Sequence, residues 1–156
     1  MIQLKRILVP TDFSEHAEHA AGYAAELARR FEVQEVHCLH VSDIPADLLA
    51  TSGYYLTGPS EQFIDQIREE SRRSLQQFAE EHLPGLPVET VFLEGRPFVE
   101  IIGYAREKEV GLIVIATHGR SGLTHALFGS VAEKVVRKAP CPVLVVKQHE
   151  QEFVMP

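Results

Sequence analysis

Four times along this chain a short apolar run of strand character gives way to a segment whose apolar residues recur every three or four positions, and a fifth run closes the series. That alternation limits the fold more than any other feature. Ile7, Leu8 and Val9 run into Pro10, a breaker at a strand end. Ala17, Ala20, Ala21, Ala24, Ala28 and Phe31 then mark one face of a helix for which Asp12 or Ser14 can serve as N-cap. Residues 33–41 read as a second strand, and after Ser60 the positions Phe63, Ile67, Ser71, Leu75, Phe78 and His82 share a helical face until "LPGLP" stops it. "VETVFLEG" is a third strand, Pro97 suits the first position of a helix, and Phe98, Ile101, Ile102 and Ala105 form that helix's inner face. "GLIVIAT" is apolar almost throughout, as a strand covered on both faces is. Val131, Ala132, Val135, Val136 and Ala139 pattern a last helix, and "CPVLVVK" a last strand.

Strands alternating with helices imply a parallel sheet with right-handed crossovers and helices on both faces. The expected fold is therefore α/β, a doubly wound, Rossmann-like sheet of five parallel strands in the order 3-2-1-4-5. Open sheets of this kind bind ligands beyond the C-terminal strand ends, where the strand order reverses. The loops meeting there are "PTD", Pro10 to Asp12, and "ATHGRSG", Ala116 to Gly122. Residues 42–59 show no sustained period, and a connection that long is usually functional, which makes it a candidate lid. The last strand falls at a sheet edge, short and apolar, and such edges are rarely left bare. Burial under the C-terminal tail, residues 148–156, would cover it.

Composition excludes several classes. With 15 Lys and Arg against 22 Asp and Glu, the formal net charge of −7 argues against a general nucleic-acid binder, which needs clustered positive charge. The densest charged cluster, "REESRR", mixes both signs and reads as a solvated helix face. No apolar run approaches the roughly 20 residues of a membrane span, and the N-terminal residues lack a secretory pattern, so a cytoplasmic protein is expected. The two cysteines, Cys38 and Cys141, lie far apart in apolar runs and read as buried thiols, not as a disulfide framework.

The segment from Ala116 to Ser130 holds the most unusual chemistry. Its final part, Gly129-Ser130-Val-Ala-Glu133, has two readings. One is a capping box, with Ser130 and Glu133 satisfying each other's amides. The other is an anion site, since a helix start presents unpaired N–H groups and the positive end of the helix dipole. Eight histidines raise the question of a metal, but neither His16 with His19 nor His118 with His125 has the further ligand spacing of a closed site, so no direct metal site is expected. The chain also lacks a Gly-x-x-x-x-Gly-Lys-Ser/Thr loop, a Gly-x-Ser-x-Gly elbow and paired carboxylates near the loop. Catalytic turnover is therefore not expected.

"ILVPTDFSE", the spacing from Ala116 to Ser130 and "GSVAEKVVRKAPCPVLVVK" together resemble the universal stress protein family. In element order the match runs from about residue 2 to 148, which gives a family domain at residues 1–148 and a tail at 149–156. The pattern of that family's ATP-binding members is Gly, two residues, Gly, nine residues, then Gly followed by Ser or Thr. Here the positions read Ala116, Gly119, Gly129 and Ser130, with alanine in place of the first glycine. Alanine costs little at ordinary strand-end dihedrals and obstructs only where φ must be positive; binding is expected to survive it. The resemblance implies ATP as ligand, with Mg²⁺ carried in near Asp12. Pro10, Thr11 and Asp12 would lie beside ribose and metal, Val41 and Ile115 would wall the adenine, and the amides of Gly119, Arg120, Gly129, Ser130 and Val131 would hold the phosphates. It implies a homodimer paired through the last strand, residues 142–146, that covers the bare edge and acts as an ATP-binding regulator in the stress response, signalling to a protein partner. The alternatives are a dimeric interaction protein without nucleotide, and a slow ATPase.

Overall fold

The computed structural model describes residues 4–43, 61–118 and 129–147. Its elements alternate as β1 (Arg6–Pro10), α1 (Glu15–Arg30), β2 (Glu35–Ser42), α2 (Glu61–His82), β3 (Val88–Glu94), α3 (Pro97–Glu107), β4 (Leu112–Ala116), α4 (Ser130–Lys138) and β5 (Val143–Val146). The sheet order is β3-β2-β1-β4-β5 with every pairing parallel, so the doubly wound topology expected from the sequence is the one observed. β1 is central: Leu8 is in register with His37 on one side and Ile113 on the other.

The period of two along the strands sorts the core into two layers. Ile7, Val9, Val36, Cys38 and Val114 face α1 and α2, while Leu8, Leu39, Ile113 and Ile115 face α3 and α4. Full burial of side chains such as Leu8 and Ile113 stabilises the fold by about 1.5–3 kcal/mol each. α1 meets the sheet through Ala17, Ala20, Ala21, Ala24, Ala25 and Ala28, all buried, and side chains this small let the helix axis lie close to the strands. Its N-cap is Ser14, whose Oγ accepts the Ala17 amide at 3.3 Å, a contact worth about 1 kcal/mol. Asp12, the other candidate cap, instead accepts the Ser14 amide at 3.1 Å and the Ser14 hydroxyl at 2.5 Å through Oδ1.

Three residues assigned to helix inner faces are exposed. α1 ends at Arg30, so Phe31 becomes its C-cap, and the left-handed turn at Glu32 (φ 49°) sends Val33 inward in its place. Phe63 is exposed because α2, about 33 Å long at 1.5 Å per residue, overruns the short strands; its buried residues, Leu75, Phe78 and Ala79, lie in its C-terminal half. Val136 is exposed because α4 sits at the sheet edge with α3 beside it and no described helix on its other flank. Cys38 is free and buried, its thiol pushed up to about 12 by burial, whereas Cys141, also free, is only half-buried. Residues 44–60 lie outside the described residues, and with them most of the candidate lid; so does the tail from residue 148. Among the described residues no helix is long and apolar enough to cross a membrane.

Candidate functional site

Where the strand order reverses, the C-terminal ends of β1 and β4 open into a cleft of about 460 Å³, within the usual range for small-molecule sites. Pro10, Thr11, Asp12, Val41, Ile115, Ala116, Gly129, Ser130 and Val131, nine of the residues singled out in the sequence, all line it. Gly119 and Arg120 lie outside the described residues. The cleft has an apolar side and a polar end. Leu39, Val41, Ile101, Ile115, Val131 and Ala132 belong to the layer facing α3 and α4, and they wall a slot suited to a flat ring. Leu39, Pro97, Ile101 and Ala132 were not anticipated as site residues. The strand period held the signal for Leu39, which shares a sheet face with Val41.

The β1–α1 turn is fixed from three directions. Phe13 adopts the left-handed region (φ 64°), which favours glycine, and its amide donates to Thr11 Oγ1 at 3.0 Å. The Phe13 ring stacks on His40 with centroids 4.3 Å apart. His40 Nδ1 lies 2.8 Å from the Thr11 carbonyl, and since a carbonyl only accepts, that nitrogen carries the hydrogen. Thr11 and Asp12 are thereby held on the cleft wall, and Asp12 orders the N-cap of α1 while lining the cleft.

At the opposite wall the capping-box reading fails. The N-cap of α4 is Gly129 (φ −67°, ψ 157°), with no side-chain cap, and Ser130 is already the first helical residue. The Glu133 amide donates to the Gly129 carbonyl at 3.0 Å, and the Glu133 carboxylate pairs with Arg137 at 3.0 Å, one turn along the helix. The anion-site reading is corrected in one respect too. The Gly129 amide donates to the Thr117 carbonyl at 2.6 Å, so it is not available to a phosphate. Its role is to tie the start of α4 to the end of β4. The amides of Ser130, Val131 and Ala132 find no acceptor among the described residues, as the geometry of a helix's first turn dictates. Together with the dipole they make the polar end of the cleft favourable to an anion.

Ala116 ends β4 opposite Val146, and it is not among the described non-glycine residues with positive φ. It packs in the layer facing α1, whereas the apolar slot lies on the other face of the sheet. Its methyl therefore points away from the slot, and nothing in the backbone there calls for glycine. Among the described residues no group of three or more His, Cys, Asp or Glu converges on a common point.

The crevice lies at the switch point of a doubly wound α/β sheet, the place where folds of this class bind their ligands. The family model described as the universal stress protein family matches residues 3–147, and the chain belongs to that family. Universal stress protein MJ0531 of Methanocaldococcus jannaschii is 38% identical over 151 residues, covering 95% of this chain and 85% of that protein. The solved structure of MJ0577, from the same organism, superposes with a TM-score of 0.77 at 31% identity, over 96% of this chain and 99% of that one. A universal stress protein from Archaeoglobus fulgidus, solved in complex with dAMP, gives a TM-score of 0.61 at 25% identity, over 94% and 100% of the two chains.

Proposed function

We propose that the cleft binds an adenine nucleotide, ATP in the first instance, and that the protein acts as a cytoplasmic homodimeric regulator in the stress response. One observation carries the reading: an apolar slot and three residues whose amides have no acceptor among the described residues line one cavity at the strand-order reversal. The base fits between Val41 and Ile115, with Leu39 and Ile101 lining the same cleft. The ribose falls beside Pro10, Thr11 and Asp12, and the phosphates run toward Ser130, Val131 and Ala132. Asp12, a carboxylate at the polar end, suits a hydroxyl or a Mg²⁺ ion brought in on the phosphates. Gly119 and Arg120 complete the phosphate cradle by family resemblance.

The chemistry favours holding over cleaving. The described part of the site offers amides and the hydroxyls of Thr11, Thr117 and Ser130 but no lysine, and phosphoryl transfer needs positive charge placed where negative charge develops. Occupancy itself is then the signal, shifting the population of a surface that a protein partner reads. The outer edge of β5, an edge strand of the sheet, is the place for a second copy, joined by an isologous contact through residues 142–146.

Mass spectrometry of ligand released from the purified protein, with titration of ATP into the emptied protein, tests this reading. An adenine nucleotide recovered intact, and a titration that saturates, are expected. An emptied protein that takes up no ATP at millimolar concentration would leave the interaction protein without nucleotide as the better account, and a released nucleotide converted to ADP on incubation would favour the slow ATPase.

A further inference from the structure

Two histidines, one lining the cleft and one next to the lining residue Ala17, are unused by the nucleotide reading. His16 stands in the first turn of α1, and His118 follows β4 and lines the cleft; their ring centroids are 6.0 Å apart. His16 Nδ1 is buried and has no hydrogen-bond partner among the described residues. A buried polar atom left unsatisfied is costly, so it calls for an occupant. With metal–nitrogen bonds of about 2.0–2.1 Å, two imidazoles on one ion have centroids roughly 5–6 Å apart, depending on the angle at the metal. The observed separation lies at the upper end of that range.

We propose that His16 and His118 form a two-imidazole site for a borderline divalent transition ion, Zn²⁺ or Co²⁺. Because no third His, Cys, Asp or Glu converges there among the described residues, the remaining positions go to water in the empty protein. When a nucleotide is bound they go to its terminal phosphate oxygens, a step that rests on the function proposed above. Imidazole nitrogen prefers Zn²⁺, Co²⁺, Ni²⁺ and Cu²⁺ over Mg²⁺, so the pair makes the phosphate end of this cleft selective for a different ion from the one oxygen ligands alone would take. Glu15 and Glu18 in the same helical turn offset the positive field of the α1 terminus, which would otherwise oppose a cation.

Zinc titration of the tag-free, nucleotide-free protein, followed by the imidazole NMR signals, reads the site directly. The His16 and His118 signals are expected to shift together with one midpoint. His16→Gln should move the His118 midpoint at least tenfold, and His19→Gln should leave it in place; unchanged thermal unfolding of each variant shows that the fold is intact. Separate midpoints for the two rings, or a His118 response indifferent to His16→Gln, overturn the site. ATP titrated into the same samples keeps the two ideas apart. Nucleotide binding without a shared zinc response removes the metal site alone, and a shared zinc response without nucleotide binding supports the metal site while removing the nucleotide reading.

Discussion

Replacing Ala116 by glycine restores the residue that the family's nucleotide pattern has at this position, and the structure makes the outcome counterintuitive. Ala116 is 8% exposed, and its methyl packs with the α1 layer, on the far side of the sheet from the apolar slot. Deleting that methyl forfeits about 0.8 kcal/mol of burial. Glycine in a strand adds about 0.5–1 kcal/mol of backbone entropy. The variant should therefore lose about 1.3–1.8 kcal/mol of stability, and for a chain of this length that lowers the unfolding midpoint by about 3–7 °C. ATP affinity should stay within about twofold, because no atom facing the slot has changed. Thermal unfolding by circular dichroism and calorimetric titration with ATP measure the two quantities on one preparation. Affinity at least tenfold tighter in Ala116→Gly would refute the reasoning, for it would mean that the methyl obstructs the ligand.

Two further outcomes test other parts of the account. Burial, reinforced by the charge of Glu89, pushes the Tyr104 phenol up to about 12 from its ordinary value of 10, so the protonated form is favoured in the folded state. The stability this contributes is fully present below about pH 10 and is lost as pH rises through about 12. Tyrosinate absorbance should show Tyr104 ionising near pH 12, and a component near pH 10 that disappears in Tyr104→Phe would contradict the assignment. In β5 the carbonyls of Pro142 and Val146 accept from Ile113 and Thr117, so by the alternation of a parallel ladder Val145 turns its amide to the open edge. Val145→Pro removes that outward donor and should convert a dimer to a monomer in sedimentation without altering helix content; a species that keeps the mass of two chains would count against pairing through β5.

The sequence was legible where a period had many residues to declare itself. The alanine stripe of α1 and the apolar runs of β1, β2 and β4 specified the two-layer sheet, because each side chain's face follows from its place in the period. Stripe ends were not legible. Phe31 continues the spacing of α1, but the chain reverses at Glu32 before Phe31 can turn inward, and Phe63 and Val136 lie where their helices overrun the sheet or leave a flank open. The Gly129-Ser130 start of α4 shows a second limit. Ser-x-x-Glu spacing fits a capping box only if Ser130 precedes the helix, and the hydrogen bond between the Gly129 amide and the Thr117 carbonyl moves the helix start back by one residue. That long-range contact has no local trace in the sequence. His16 was visible as a residue, but its unsatisfied nitrogen emerged only once α1 was set beside the end of β4.

The central claim, that unpaired amides at the start of α4 hold the anionic end of a nucleotide, is tested most directly at Ser130. Gly129 has the extended dihedrals that a following proline requires, and proline is well tolerated at a helix's first position. Ser130→Pro therefore removes one inward N–H and the hydroxyl while keeping the helix, and Ser130→Ala removes the hydroxyl alone. A hydrogen bond to a charged group is worth about 1.5–3 kcal/mol, so ATP affinity should fall roughly 10- to 100-fold in Ser130→Pro and further than in Ser130→Ala, with thermal stability unchanged. ATP bound equally well by the folded proline variant would contradict the account.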